Sequence, residues 1–434
     1  MNSKTYKELN EVVYSQKLEN GLSVQMIPKR DYGSVYAVLF TEFGSNDYIF
    51  KARGENEYEI YPHGVAHFLE HKLFETEEGD ISQVFSFQGA SINAVTSNTK
   101  TVYMVSFTAN GRLNIETLLD FVQMPTFDQQ SVEDEKSIIT QEILMYKDDP
   151  DWVLAQGLLE NLYPAHPIRI DVAGTPESVQ AVTVDMLKKN HENFYHPSNM
   201  QIVIVGNIDP EETLQWIESN QEKKAYPKSF EIKRELPTET GRNIIKSRTI
   251  HLPVNLPKVL VGVKGVSFDL NEEQAFRHII CMEILLELLF GETSSTYLAM
   301  SNKNLIDNSF SYDYIFERGF DYVTIGGDSR LPEVLAEKIK KVLMCTRNNP
   351  DMSYDHFVLI KKQLTGEYIQ DLNSLGYVAH QFVDMPFRTY TIYDYLSVLK
   401  LVTFEDVKQL LVDYFKAERH SVFIVESRIN QEIV

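Results

Sequence analysis

The chain restates its own order of segments at an offset of roughly 220 residues, and this repetition limits its fold more than any other feature. The segment Ser131 to Ile143 (SVEDEKSIITQEI) is echoed by Ser353 to Thr365 (SYDHFVLIKKQLT). Thr183-Val-Asp-Met-Leu leads to the strand-like run Gln201 to Val205, and Thr403-Phe-Glu-Asp-Val leads to Ser421 to Val425. Tyr103-Met-Val-Ser-Phe and Tyr322-Val-Thr-Ile-Gly each precede a helical pattern. A period this long cannot be a solenoid unit, because each unit of a solenoid is a few tens of residues that cannot bury a core alone. A duplicated α+β domain fits, since each copy is long enough to enclose its own core.

Within the first copy, Val12 to Lys17 and Leu22 to Ile27 read as strands joined at Asn20-Gly21, a type I′ hairpin signal. Ser34 to Phe43 reads as a third strand, followed by a helix at Val65 to Leu73. Strands at Ala90 to Ala94 and Val102 to Thr108 come next, then helices at Ile115 to Val122 and Glu133 to Tyr146. The expectation is two homologous domains, 1–220 and 243–434, each a mostly antiparallel sheet covered by helices. The polar, proline-containing segment 221–242 would link them.

The charge balance excludes some functions. The 434 residues carry 62 acidic against 41 basic side chains, a formal net charge of −21, which repels a phosphate backbone and argues against nucleic-acid binding. No run of eighteen apolar residues occurs and the first twenty residues hold no signal-peptide core, so neither a membrane span nor export is expected. The two cysteines, Cys281 and Cys345, sit in helical apolar patterns and read as thiols of a reducing compartment. A cytoplasmic protein is the expectation.

The chemistry concentrates at His67-Phe-Leu-Glu70-His71. On a helix, His67 and His71 lie one turn apart on one face and can reach one ion, with Glu70 beside that face. Val65, Phe68, Leu69 and Leu73 would anchor the opposite side. A chance H-x-x-E-H is expected on the order of 0.02 times in such a chain. The order is the inverse of H-E-x-x-H. A catalytic zinc needs a third protein ligand. The best source is the acidic helix with Glu135 and Glu142, two turns apart on one face, while Ile138, Ile139 and Ile143 pack the other way. By itself that helix is an ordinary amphipathic one. Other histidines are weaker candidates. His63 follows Pro62 and reads as the helix opening, His191-Glu192 lacks a second histidine because Tyr195 stands there, and His166 and His196 precede prolines in turns.

These motifs resemble the pitrilysin or insulinase family of inverzincin metallopeptidases, in its two-domain bacterial and mitochondrial-processing branch. Further matches are Gly64-Val-Ala-His67, Gly89-Ala-Ser-Ile-Asn93-Ala94, Asp149-Pro150 and His166-Pro167 followed by Gly174. The bacterial insulinase-like proteins that occur as paired sets are especially similar, and some carry a name tied to elongation factor P modification. The resemblance implies one Zn²⁺ per chain on His67, His71 and Glu142, with Glu70 as general base and Glu135 supporting the site from behind. It implies that Asn93 and Ala94 lie on a strand edge that pairs with an extended peptide substrate. It also implies two halves enclosing a chamber suited to short or unfolded peptides.

One departure bears on partners. Where the family uses an Arg and a Tyr from a second-half segment, this chain has Ser301 and no tyrosine near Asp307. Arg388 and Tyr395 lie too late in the repeat to replace them. The expectation is a heterodimer with a homologous chain that lacks H-x-x-E-H, or otherwise a homodimer. At the repeat offset Glu142 falls near Leu364 and the histidines fall near Glu287 to Gly291, so the second half should bind no metal. The rival readings are a non-catalytic subunit, as among relatives in respiratory complexes, and a zinc hydrolase acting on a non-peptide substrate.

Overall fold

The computed structural model describes every residue except 77–78, 237–242, 266–269, 346–348, 386–388 and 428–434. The chain forms two compact units. The first comprises Met1–Ile143, Asp171–Leu236 and Asp371–Met385, and the second comprises Leu144–Ile170, Pro237–Gln370 and Pro386–Val434.

The first unit is built on β1 (Asn2–Tyr6), β2 (Glu11–Lys17), β3 (Ser23–Pro28), β4 (Val35–Thr41), β5 (Ala90–Thr96), β6 (Thr101–Phe107) and β7 (Met200–Gly206). Their order across the sheet is β1-β2-β3-β7-β4-β6-β5, with β3 and β7 parallel and the other pairs antiparallel. The second unit uses β8 (Ser247–Leu252), β9 (Lys258–Lys264), β10 (Ser311–Glu317), β11 (Phe320–Asp328) and β12 (His420–Ser427) in the order β8-β12-β9-β11-β10. Here β8 and β12 are the parallel pair. The five strands β3-β7-β4-β6-β5 and these five share one order and one pattern of directions, so the repetition in the sequence is a repetition of topology.

The units do not divide the chain at one point. Helix Pro150–Leu162, from the first half of the sequence, belongs to the second unit and lies on β12 and β9. Gly157 allows this approach, since a Cβ there would sit 2.3 Å from the Phe423 ring. Helix Leu375–Asp384, from the second half, belongs to the first unit and lies on β7 and β4, where Tyr36 Oη is 3.2 Å from His380 Nε2. A split into 1–220 and 243–434 misses this exchange because both helices are amphipathic and their own sequence does not state which sheet they cover. Part of the segment expected as a linker, 237–242, lies outside the described residues.

Two local expectations need correction. The Asn20-Gly21 turn is not type I′, which requires positive φ at both central residues; only Gly21 has it, at 98°. The Gly21 N–H donates to Leu18 O (3.0 Å) and Leu18 N–H to Leu22 O (2.9 Å), a three-residue loop closed by the glycine. Ile138 is 54% exposed rather than packed with Ile139 and Ile143. The buried stripe of its helix runs through Val132, Glu135, Lys136, Ile139 and Ile143, and Ile138 lies off it.

Candidate metal centre

Helix α1 (Val65–Phe74) carries the H-x-x-E-H segment. Its start is fixed by Gly64, whose φ of 86° is left-handed and whose absent Cβ would fall 2.2 Å from Ala173 O. Gly174 returns the constraint, for a Cβ there would sit 2.4 Å from His63 O. The two glycines quoted with the motif thus let two backbones touch at the helix entrance. Val65, Ala66, Phe68, Leu69 and Leu73 are buried in the unit's core, as the amphipathic pattern predicts.

Helix α2 (Gln129–Lys147) presents Glu135 and Glu142 to α1. His71 Nδ1 is 3.0 Å from Glu135 Oε1, which turns His71 Nε2 toward Glu142 Oε2 at 3.4 Å. His67 Nε2 lies 3.9 Å from Glu142 Oε1, and the two imidazole centroids are 4.5 Å apart. One donor atom from each of His67, His71 and Glu142 fits within a 4.8 Å span, and among the described residues no other such group occurs. His63 is elsewhere: its ring packs on Tyr48 at 4.4 Å and its carbonyl accepts from Ser178 Oγ.

The donor set suits zinc. Two imidazoles and a carboxylate leave one position open in a tetrahedron, and bonds near 2 Å would separate neighbouring ligands by about 3.3 Å. The two imidazoles approach different oxygens of Glu142, at 3.4 and 3.9 Å, and one donor from each residue falls within 4.8 Å, a span that modest closure would bring to that spacing. Burial, with His71 adding to it, pushes the His67 imidazole down to about 3, which keeps it neutral and able to ligate. The other nitrogen of His67 is buried with no hydrogen-bond partner among the described residues. At His71 burial acts in the same direction. There the Glu135 hydrogen bond and the charges of Glu135, Glu70 and Glu142 outweigh it, and the net shift is upward.

Glu70 faces inward, 9% exposed, and its Oε2 accepts from Thr96 Oγ1 at 2.7 Å. Burial raises its carboxyl above the ordinary range, opposed by the Thr96 hydrogen bond and the positive potential of His71. Behind His71 lies a cluster that no motif announced. Lys72 is 1% exposed and bonds Glu75 and Ser131, while Glu75 also shares a hydrogen bond with Glu135. The sequence signal for it was Lys72 and Glu75 spaced three apart just past the histidines. The signal for Thr96 was strand alternation, which puts it on the inward face with Ile92 and Ala94.

Asn93 and Ala94 stand on β5, the edge strand of the sheet, opposite Met104 and Tyr103 of β6. Asn93 is exposed and Ala94 packs against the core. The Asn93 side-chain oxygen accepts from the Ala94 N–H at 2.9 Å. Ser301 ends a short helix, Ser295–Ser301, of the second unit. Arg388 lies outside the described residues. Tyr395 Oη donates to Glu283 Oε2 at 2.6 Å and stacks on Tyr368 at 4.8 Å, which gives it a packing role in the second unit.

In the second unit, helices α3 (Glu272–Phe290) and α4 (Tyr354–Asp371) occupy the topological places of α1 and α2. Glu287 of α3 accepts hydrogen bonds from Tyr312 and from Gln363 of α4, the latter at 3.0 Å. Glu287 thus ties α3 to α4 and to β10, and among the described residues of this unit no group of metal-ligating side chains occurs.

Residues 53–176 match the family described as insulinase, peptidase family M16, and residues 181–364 match the peptidase M16 inactive domain. A Bacillus subtilis (strain 168) protein named "Uncharacterized zinc protease YmfH" is 44% identical over 418 residues, covering 96% of this chain and 97% of that one. The crystal structure of an M16-like peptidase from Alicyclobacillus acidocaldarius superposes with a TM-score of 0.92 at 34% identity, over 96% of this chain and 98% of the other. A protease from Helicobacter pylori shares the fold at 18% identity with a TM-score of 0.79, over 95% and 99% of the chains. No helix among the described residues is long and apolar enough to cross a membrane. The chain belongs to the insulinase family of zinc proteases, peptidase family M16.

Proposed function

We propose that this chain is a zinc-dependent endopeptidase in which His67, His71 and Glu142 would hold the metal and Glu70 is the general base. The observation that carries the reading is the convergence of three donor groups on one point with a buried carboxylate from the same helix beside them. When bound there, zinc supplies Lewis-acid chemistry, making water acidic near neutral pH and polarising a peptide carbonyl. Glu70 takes the proton of the attacking water and delivers it to the departing amine, a task its raised carboxyl suits. Glu135 fixes the ring and tautomer of His71 through Nδ1. An extended peptide pairs with the free edge of β5 near Asn93 and Ala94, where main-chain hydrogen bonds set the scissile bond. The substrates are short or unfolded peptides, because only an extended chain can add to a strand edge. The intact ligand set and base argue against a non-catalytic subunit.

The test measures zinc and peptide cleavage together. His67→Ala and Glu142→Ala should lose the metal, since two protein ligands hold zinc poorly. Glu70→Gln should keep it and lose cleavage by roughly 10²–10⁴-fold. Full zinc in both ligand variants, or parental cleavage by Glu70→Gln, refutes the assignment.

The same reading includes a partner. Ser301 stands where relatives of this kind supply an Arg, and Asp307 where a Tyr is expected. A zinc site without such groups orients a peptide poorly, and orientation is worth several kcal/mol of the barrier. A homologous chain without H-x-x-E-H would supply them in a heterodimer. Assays of this chain alone and mixed with such a homologue decide the matter. Full activity alone, with no complex on size-exclusion chromatography, excludes the heterodimer.

A further inference from the structure

Thr96 is the last residue of β5. It pairs with Thr101 of β6, whose hydroxyl donates to Phe43 O at 2.8 Å, so the strand end is tied to the sheet. Its own hydroxyl lies 2.7 Å from Glu70 Oε2, with Thr96 8% and Glu70 9% exposed. An ionised carboxylate only accepts hydrogen bonds, so here the threonine donates. Among the described residues no other side chain hydrogen-bonds Glu70. A glutamate has three side-chain torsions, and helix α1 fixes none of them beyond the first.

The geometry points to Thr96 as the positioning residue for the Glu70 carboxylate, set on the same strand whose edge bears Asn93 and Ala94. This rests on the reading of Glu70 as the base. One rigid strand then fixes both the peptide edge and the proton acceptor. Pairing of a peptide with β5 and aiming of Glu70 become a single geometric fact. Valine at this position keeps the branched shape and the Thr96 backbone N–H that also bonds Glu70 but removes the hydroxyl donor, whereas serine keeps both donors and loses only a methyl group.

The experiment compares the full-length parent with Thr96→Val, Thr96→Ser and Glu70→Gln. It reads zinc content, cleavage of a fluorescence-quenched octapeptide library and the crystal structure of each zinc-loaded variant. Thr96→Val should hold full zinc, keep KM within about twofold and lose kcat by roughly 10–100-fold, the scale of a misplaced catalytic group. Its Glu70 should leave the parental rotamer. Thr96→Ser should restore both the rotamer and kcat to within about threefold of the parent, a rescue that a purely structural threonine would not require. Parental kcat in Thr96→Val, an unmoved Glu70 carboxylate in that variant, or a serine variant no better than valine each overturns the inference. If instead Glu70→Gln cleaves like the parent, or the parent does not cleave, the general-base reading is what fails. The rotamer comparison then decides alone whether Thr96 positions Glu70.

Discussion

His67 and His71 share a helix face yet sit in opposite electrostatic surroundings, and this asymmetry would govern how the proposed site meets a metal. His67 is held neutral by burial, down to about 3. His71 is held above its ordinary value by Glu135, Glu70 and Glu142 despite burial. A metal binds only neutral imidazole, so loading must expel a proton from His71 and not from His67. Zinc affinity should therefore rise with pH until it passes the raised value of His71, and acidification through that value should release zinc. Zinc retention measured after dialysis between pH 5 and 8.5 checks this, and a flat profile across that window would contradict it. Glu135→Gln should weaken zinc by about 10–100-fold at pH 8 through loss of ring orientation, measured by competition with a chelator. Equal affinity would mean that His71 needs no support.

At the scale of elements, the entrance of α1 deserves the sharpest prediction. Gly64→Ala forces a left-handed φ on a residue with a Cβ and drives that atom into Ala173 O. The cost should be at least about 2 kcal/mol, and the displaced helix should lose zinc as well as stability. Thermal unfolding and metal analysis of this variant check both, and an unaffected protein would show that the entrance can relax. In the second unit α3 holds Glu283 partly buried beside Tyr395, and loss of solvation there raises its carboxyl to about 7. A raised acid stabilises the fold while protonated, so this contribution is complete below its unfolded value and is lost as pH rises through about 7. Glu283→Gln should therefore unfold at a similar temperature at pH 5 but be more stable than the parent at pH 8 by about 1–2 kcal/mol. Equal pH dependence in both proteins would refute the buried-acid account.

For the whole molecule, duplication of the fold without duplication of the chemistry predicts about one zinc per chain, with none retained once His67 is replaced. Metal analysis showing a second zinc would refute it. The strands of the duplicated sheets and the pairing of His67 with His71 were legible in sequence because both are written in short-range periodicity. Strands alternate, helices repeat every three to four residues, and two histidines one turn apart must share a face. Glu142 was legible only together with the resemblance, since 71 residues separate it from His71 and an acidic helix face is ordinary by itself. The exchange of helices Pro150–Leu162 and Leu375–Asp384 between units was not legible, because an amphipathic stripe states that a face is buried but not against which sheet. Nor was the buried Lys72, whose place depends on Glu75 and on Ser131 from another helix. The hydroxyl of Thr96 belongs with these: alternation turned it inward, but only the packing of α1 on the sheet brought Glu70 to meet it. Local pattern thus determined most of the elements, most of their faces and the turn that sets His67 beside His71. Tertiary structure decided which faces meet and which carboxylates acquire a partner, because those contacts join residues that no sequence period connects.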